Sequence, residues 1–287
     1  MTIIERVLQR AREAKSMESA ASAAAPTQAV QRADENPNPG VGPPLAFVGI
    51  ETAGSGFDPA LARSGHLLTE IRALKRKVLE VTHARREAGQ AAVIIVTSAV
   101  PGDGKSFVSL HLALSLTHEQ GMKVTLVDGD VARQKSTKLF SEGSNGSLAA
   151  AILGDMPFAN AVHRTGLPGL TVVPAGKHTP AVSECLASSR WDGLLTQMRA
   201  EGRGRAFIVD TAPVLATSES QYAARTADLV LFVVRAEVTP KQAVDQALVR
   251  LGDLSRVAFV LNGTAASDHD PYYEYSNYGK EEAKGSP

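Results

Sequence analysis

The segment Val96-Thr97-Ser98-Ala99-Val100-Pro101-Gly102-Asp103-Gly104-Lys105-Ser106-Phe107 holds the residue types needed to bind a chain of phosphates. It follows the spacing G-x-x-x-x-G-K-[ST], with Ala99 at the first glycine position. Gly102 and Gly104 let backbone N–H groups close around phosphate oxygens with no Cβ in the way. A helix starting at Lys105 adds partial positive charge at the same place. Lys105 is long enough to reach β and γ phosphates, and the Ser106 hydroxyl can ligate Mg²⁺. Downstream, Val124-Thr125-Leu126-Val127-Asp128-Gly129-Asp130 runs into two carboxylates, and Phe207-Ile208-Val209-Asp210 into one. One such carboxylate can organise Mg²⁺ through water, and another can accept the proton of an attacking hydroxyl. A glycine-rich turn and strand-end aspartates are the plainer readings of each segment alone. Their coincidence in one chain favours phosphoryl transfer.

A second constellation supplies hydroxyls. Of five tyrosines, four lie close together: Tyr272, Tyr273, Tyr275 and Tyr278. They sit in a polar stretch without apolar periodicity, whereas tyrosine is ordinarily half-buried. Asp268, Asp270, Glu274, Glu281 and Glu282 make this stretch acidic, which suits docking on a basic surface such as residues 72–77. About 15 residues can extend roughly 50 Å, enough to reach a neighbouring molecule's site. Packing of the rings on the body is the alternative.

These groups must be brought together by a fold. Residues 91–97, 123–127, 170–173, 206–209, 229–234 and 257–261 are predominantly apolar and read as strands. Stretches at 58–88, 105–119, 147–154, 180–200, 216–226 and 239–252 read as helices. Strands without polar alternation, separated by helices, predict an α/β P-loop NTPase fold: a mostly parallel sheet with helices on both faces. In such a sheet ligands lie beyond the carboxyl ends of the strands, where all three aspartates are expected.

The remainder of the chain predicts four regions. Residues 1–15 read as an amphipathic helix, with Ile3, Ile4, Val7, Leu8 and Ala11 on one side. Residues 16–57 are rich in Ala, Ser and Pro and read as a flexible linker. The catalytic domain is expected over 58–265 and the tyrosine tail over 266–287. Hydrophobic residues make up 44% of the 287-residue chain, enough for a core and too many for a wholly disordered protein. Lys plus Arg and Asp plus Glu both number 30, so overall charge gives no reason to expect nucleic acid as a partner. One cysteine, Cys185, excludes an internal disulfide and a Cys-rich zinc module. It is expected as a small core residue, and Trp191 as a packing anchor. His111 and His118, seven apart on one helix, lack partners for a metal. No apolar run approaches the roughly 18 residues of a membrane span, and the start of the chain lacks a signal-peptide pattern. The expected location is cytoplasmic.

The three phosphate-site segments resemble the Walker A, Walker A′ and Walker B motifs of the bacterial tyrosine autokinases, which regulate exopolysaccharide assembly. LTVVPAG and VLFVV resemble further family segments, in the expected order, over most of residues 60–265. MTIIERVLQRARE and GHLLTEIRALKRKVLE look most like the stand-alone kinases encoded with PEP-CTERM/exosortase systems. The resemblance implies an ATP- and Mg²⁺-dependent protein-tyrosine kinase acting on its own tail. It implies nucleotide binding by Pro101, Gly102, Asp103, Gly104, Lys105, Ser106 and Phe107. Catalytic roles fall to Lys105, Asp128, Asp130 and Asp210, with Asp128 as general base. Metal contacts fall to Ser106, Asp128 and Asp210. Asn262 sits where related ATPases contact adenine. The implied partner is a membrane chain-length-determinant (Wzz-like) co-polymerase at the inner face of the cytoplasmic membrane, with homo-oligomers forming through the 66–77 helix. The chain departs from the family pattern at Ala132, where Arg is expected and Arg133 follows, and at Ala212, where Pro is usual. It departs also at Thr69, which replaces the Glu of E-x-x-R-x-x-R, with Arg72 and Lys75 at the basic positions. A ParA/MinD-like ATPase switch shares the fold but carries an extra loop lysine where this chain has Val100-Pro101-Gly102. A non-catalytic nucleotide-dependent adaptor is the third reading.

Overall fold

The computed structural model describes residues 65–139 and 146–263. The expected N-terminal helix, the linker and the tyrosine tail lie outside the described residues. The apolar runs become the strands of one seven-stranded sheet, ordered β3-β4-β2-β5-β1-β6-β7. They are β1 (Ala92–Ser98), β2 (Lys123–Asp128), β3 (His163–Arg164), β4 (Leu170–Val173), β5 (Arg205–Asp210), β6 (Leu229–Arg235) and β7 (Val257–Asn262). Every pairing is parallel except that of the two-residue β3 with β4. The predicted fold class is therefore present.

Because side chains alternate along a strand, the apolar runs feed two cores. Ile94, Val96, Leu126, Ile208 and Leu231 point to one face, which α1 (Gly65–Glu87) and α2 (Lys105–Leu116) cover through Val78, Val108, Leu112 and Leu116. Val93, Ile95, Val127, Phe207 and Phe232 point to the other. There they meet α3 (Leu148–Leu153), α4 (Phe158–Ala161), α5 (Pro180–Leu186), α6 (Ser189–Ala200), α7 (Ser218–Thr226) and α8 (Lys241–Leu251). Trp191 is 1% exposed and anchors this second core, with Cys185 packed partly buried against it.

Two local differences from expectation have clear causes. The helix read over 180–200 is two helices, because Ser188 turns extended and its hydroxyl accepts from the Arg190 N–H to start α6. His118 lies beyond the end of α2, exposed, while His111 is buried within that helix.

The edge of the sheet opposite the strand C-termini is pinned by Asp228, whose side chain is 1% exposed. It accepts from Arg85 (2.5 Å), Arg199 (2.8 Å) and the Val93 N–H (2.8 Å), joining the last turns of α1 and α6 to β1. No helix among the described residues is long and apolar enough to cross a membrane.

Candidate nucleotide and phosphoryl-transfer site

Parallel strand order sends the C-terminal ends of β1, β2 and β5 to one edge, and the sequence puts its chemistry there. β1 runs into the phosphate loop, and α2 leaves it at Lys105. Gly102 and Gly104 adopt φ of 95° and 96°, values that side-chain-bearing residues rarely take. A Cβ on Gly102 would meet open space, whereas one on Gly104 would collide with the side-chain amide of Asn262. Gly104 caps α2 without any side-chain hydrogen bond, and the helix N-terminus places partial positive charge beside the loop. Lys105 is 7% exposed and makes no ion pair among the described residues. Burial lowers its pKa, against the opposing charges of Asp210, Asp130 and Asp103, while Arg133 lowers it further.

Asp128 and Asp210 end β2 and β5 in direct register, and both are fully buried. Burial raises the pKa of Asp128 to about 7, with the Asp210 charge adding to the rise and the Thr137 hydrogen bonds opposing it. Asp210 is also raised by burial, while Ser106, Ser136 and Lys105 hold it down. Asp130 is 6% exposed, and its N–H donates to Asp128 Oδ1 (3.2 Å). The structure thus brings Lys105, Ser106, Asp128, Asp130 and Asp210 together at one edge.

Two residues that sequence reasoning missed hold these carboxylates. Ser136 donates its hydroxyl to Asp210 Oδ2 (2.8 Å). Thr137 donates to Asp128 Oδ2 from both its N–H (2.6 Å) and its hydroxyl (2.7 Å), and its hydroxyl accepts from the Ala175 N–H (2.9 Å). The turn that delivers them contains Gln134 at φ 55°, with Gln134 Nε2 donating to the carbonyls of Val131 and Gly176. The sequence hints at them only through a pair of adjacent hydroxyls eight and nine residues past Asp128, a weak signal without the fold.

The departures from the family pattern can also be placed. Ala132 and Arg133 are both exposed. Ala212 is buried, and its carbonyl accepts from the Thr97 hydroxyl (3.0 Å). On α1, Lys75 pairs with Glu119 (2.5 Å) and Lys77 with Glu80 (2.9 Å), so part of the 72–77 basic cluster is already neutralised. Arg72 and Arg76 remain exposed. Asn262 donates to the Asp103 carbonyl (2.9 Å), a contact with the loop itself. Tyr272, Tyr273, Tyr275 and Tyr278 lie outside the described residues.

Mg²⁺ can be tested against the residues present. No three His, Cys, Asp or Glu groups cluster in a metal-holding arrangement among the described residues. Asp210 Oδ1, however, is buried without a hydrogen-bond partner beside the Ser106 hydroxyl. One carboxylate oxygen and one hydroxyl are what a metal held chiefly by phosphate and water requires of the protein.

No family model matches the chain. The tyrosine-protein kinase YwqD of Bacillus subtilis is 30% identical over 193 residues, 66% of this chain and 78% of that protein. The chain belongs to the bacterial tyrosine-protein kinases. EpsB of Ralstonia solanacearum is 32% identical over 167 residues, 58% of this chain but 22% of EpsB, so the chain spans about a fifth of that longer relative. The solved kinase domain of Escherichia coli tyrosine kinase ETK superposes with a TM-score of 0.63 at 25% identity, covering 75% of this chain and 84% of that domain.

Proposed function

We propose that the chain is an ATP-dependent tyrosine kinase that phosphorylates its own C-terminal cluster. The observation that carries this reading is a buried Lys105 without an ion pair in the phosphate loop, at the same sheet edge as two buried carboxylates in register, Asp128 and Asp210. The loop N–H groups and Lys105 hold the β and γ phosphates of ATP and stabilise the charge that develops on them. Asp128, ionised, accepts the tyrosine O–H proton. The phenolate oxygen then bonds to the γ phosphorus as the bond to the ADP oxygen breaks, and ADP departs. Ser106 and Asp210 would hold Mg²⁺, which would supply charge neutralisation on the phosphates and leave Asp128 to act as the base. Asp130, Ser136 and Thr137 keep the two carboxylates oriented.

The acceptors are Tyr272, Tyr273, Tyr275 and Tyr278. Each phosphorylation adds about −1.5 to −2 charge, so successive additions repel and weaken self-docking of an acidic tail. Unmodified tails associate through the α1 surface and modified ones release. The resemblance to stand-alone kinases of polysaccharide systems supports a regulatory role in exopolysaccharide assembly, through a membrane co-polymerase that would bring this chain to the membrane. Incubation of the purified protein with Mg-ATP should give phosphotyrosine in the wild type and none in Lys105→Met. Phosphate release without protein labelling would instead point to an ATPase switch.

A further inference from the structure

We propose that Thr239 and Asn262 are positioning residues that hold the phosphate loop in its nucleotide-ready shape, using Asp103 as the handle. A carboxylate between the two loop glycines is an electrostatic liability in a site meant for phosphates. Asp103 is 1% exposed, and both oxygens of its carboxylate are held by neighbouring donors. Its Oδ1 accepts from the Thr239 hydroxyl (2.7 Å), and its Oδ2 from the Val100 N–H (3.3 Å). Thr239 is itself fixed: its Oγ1 accepts from the Arg235 N–H (2.8 Å), and its own N–H donates to the Arg235 carbonyl (3.0 Å). The turn between them holds Glu237 at φ 59°, a left-handed backbone that a non-glycine residue adopts at a cost.

The second grip is on the backbone. Asn262 Nδ2 donates to the Asp103 carbonyl (2.9 Å) and fills the space that a Cβ on Gly104 would need. The Asn262 carbonyl accepts from the Ala236 N–H (2.8 Å), so the two grips brace each other. The ends of β6 and β7, which carry none of the Walker segments, therefore set the shape of the loop that ends β1.

The inference rests on the loop binding nucleotide phosphates, and it adds what keeps Asp103 from opposing them. Without the Thr239 hydroxyl, the carboxylate loses a charge-assisted hydrogen bond. Its lowest-cost replacement is to turn outward, toward the place of the phosphates.

The test is affinity of the full chain for a Mg²⁺-bound, non-hydrolysable ATP analogue. Thr239→Val should weaken binding by about 10- to 100-fold, the range for a lost hydrogen bond to a charged group. Thr239→Ser, which keeps the hydroxyl, should stay close to wild type. Asp103→Asn combined with Thr239→Val should bind more tightly than Thr239→Val alone, because the charge to be turned away is gone. In turnover, Thr239→Val should raise KM far more than it lowers kcat. Wild-type affinity in Thr239→Val, or loss of affinity that Thr239→Ser fails to rescue, overturns the proposal. If wild type binds the analogue but ATP never labels tyrosine, the kinase reading fails while the affinity series still decides this one.

Discussion

Asp128 and Asp210 are partners in the register of β2 and β5, so two fully buried carboxylates stand at the ends of strands about 4.8 Å apart. Burial and this proximity push Asp128 up to about 7. A base works only when ionised, so tyrosine labelling should rise with pH and then level off, at a midpoint below 7 because bound Mg²⁺ favours the ionised carboxylate. Asp128→Asn should lower the labelling rate by about 10²- to 10⁴-fold. Labelling in Asp128→Asn at the wild-type rate across pH 5.5 to 8 would show that Asp128 is not the base.

Thr137 opposes that shift by donating two hydrogen bonds to Asp128. Thr137→Val removes the hydroxyl donor and should move the midpoint of the pH–rate profile upward, by roughly one unit if the bond contributes about 1–2 kcal/mol. Labelling at pH 6 should then fall more than labelling at pH 8.5. An unmoved midpoint would mean that Thr137 leaves the base unaffected.

The same raised pKa has a consequence for stability. The native state keeps the Asp128 proton while an unfolded chain releases it near the ordinary aspartate value of 3.8. This group's contribution to stability is therefore fully present below about pH 4 and is lost as pH rises to about 7. Asn at position 128 does not titrate. The melting temperature of nucleotide-free Asp128→Asn, relative to wild type, should thus climb between pH 4.5 and pH 8. Thermal melts of both proteins across that range check it, and a constant difference would argue against the shift.

The opposite edge of the sheet predicts a stability effect with little change in chemistry. Asp228→Ala leaves Arg85, Arg199 and the Val93 N–H without their shared acceptor. The cost should be about 3 kcal/mol, at the low end for breaking a buried pair because both arginines are partly exposed. Urea denaturation should show it as a lower midpoint, with nucleotide affinity of the folded fraction unchanged.

Much of this arrangement was readable from residue order. Runs such as Leu229–Val234 are short for helices and apolar on both faces, so they read as buried strands. Parallel pairing then put Lys105, Asp128 and Asp210 at one edge. What escaped the sequence acts through space. Ser136, Thr137 and Thr239 are ordinary hydroxyls whose partners lie 74, 9 and 136 residues away, so no local pattern marks them. His163–Arg164 is too short to carry a period, and the break at Ser188 depends on one capping hydroxyl within an otherwise helical stretch.

The most direct measurement is mass mapping of phosphotyrosine after incubation of the full chain with Mg-ATP. Phosphate should appear on Tyr272, Tyr273, Tyr275 or Tyr278, be absent from Lys105→Met, and vanish when all four become Phe. Undiminished labelling in the four-Phe variant, or labelling that survives Lys105→Met, would contradict a kinase built on this loop and aimed at this tail.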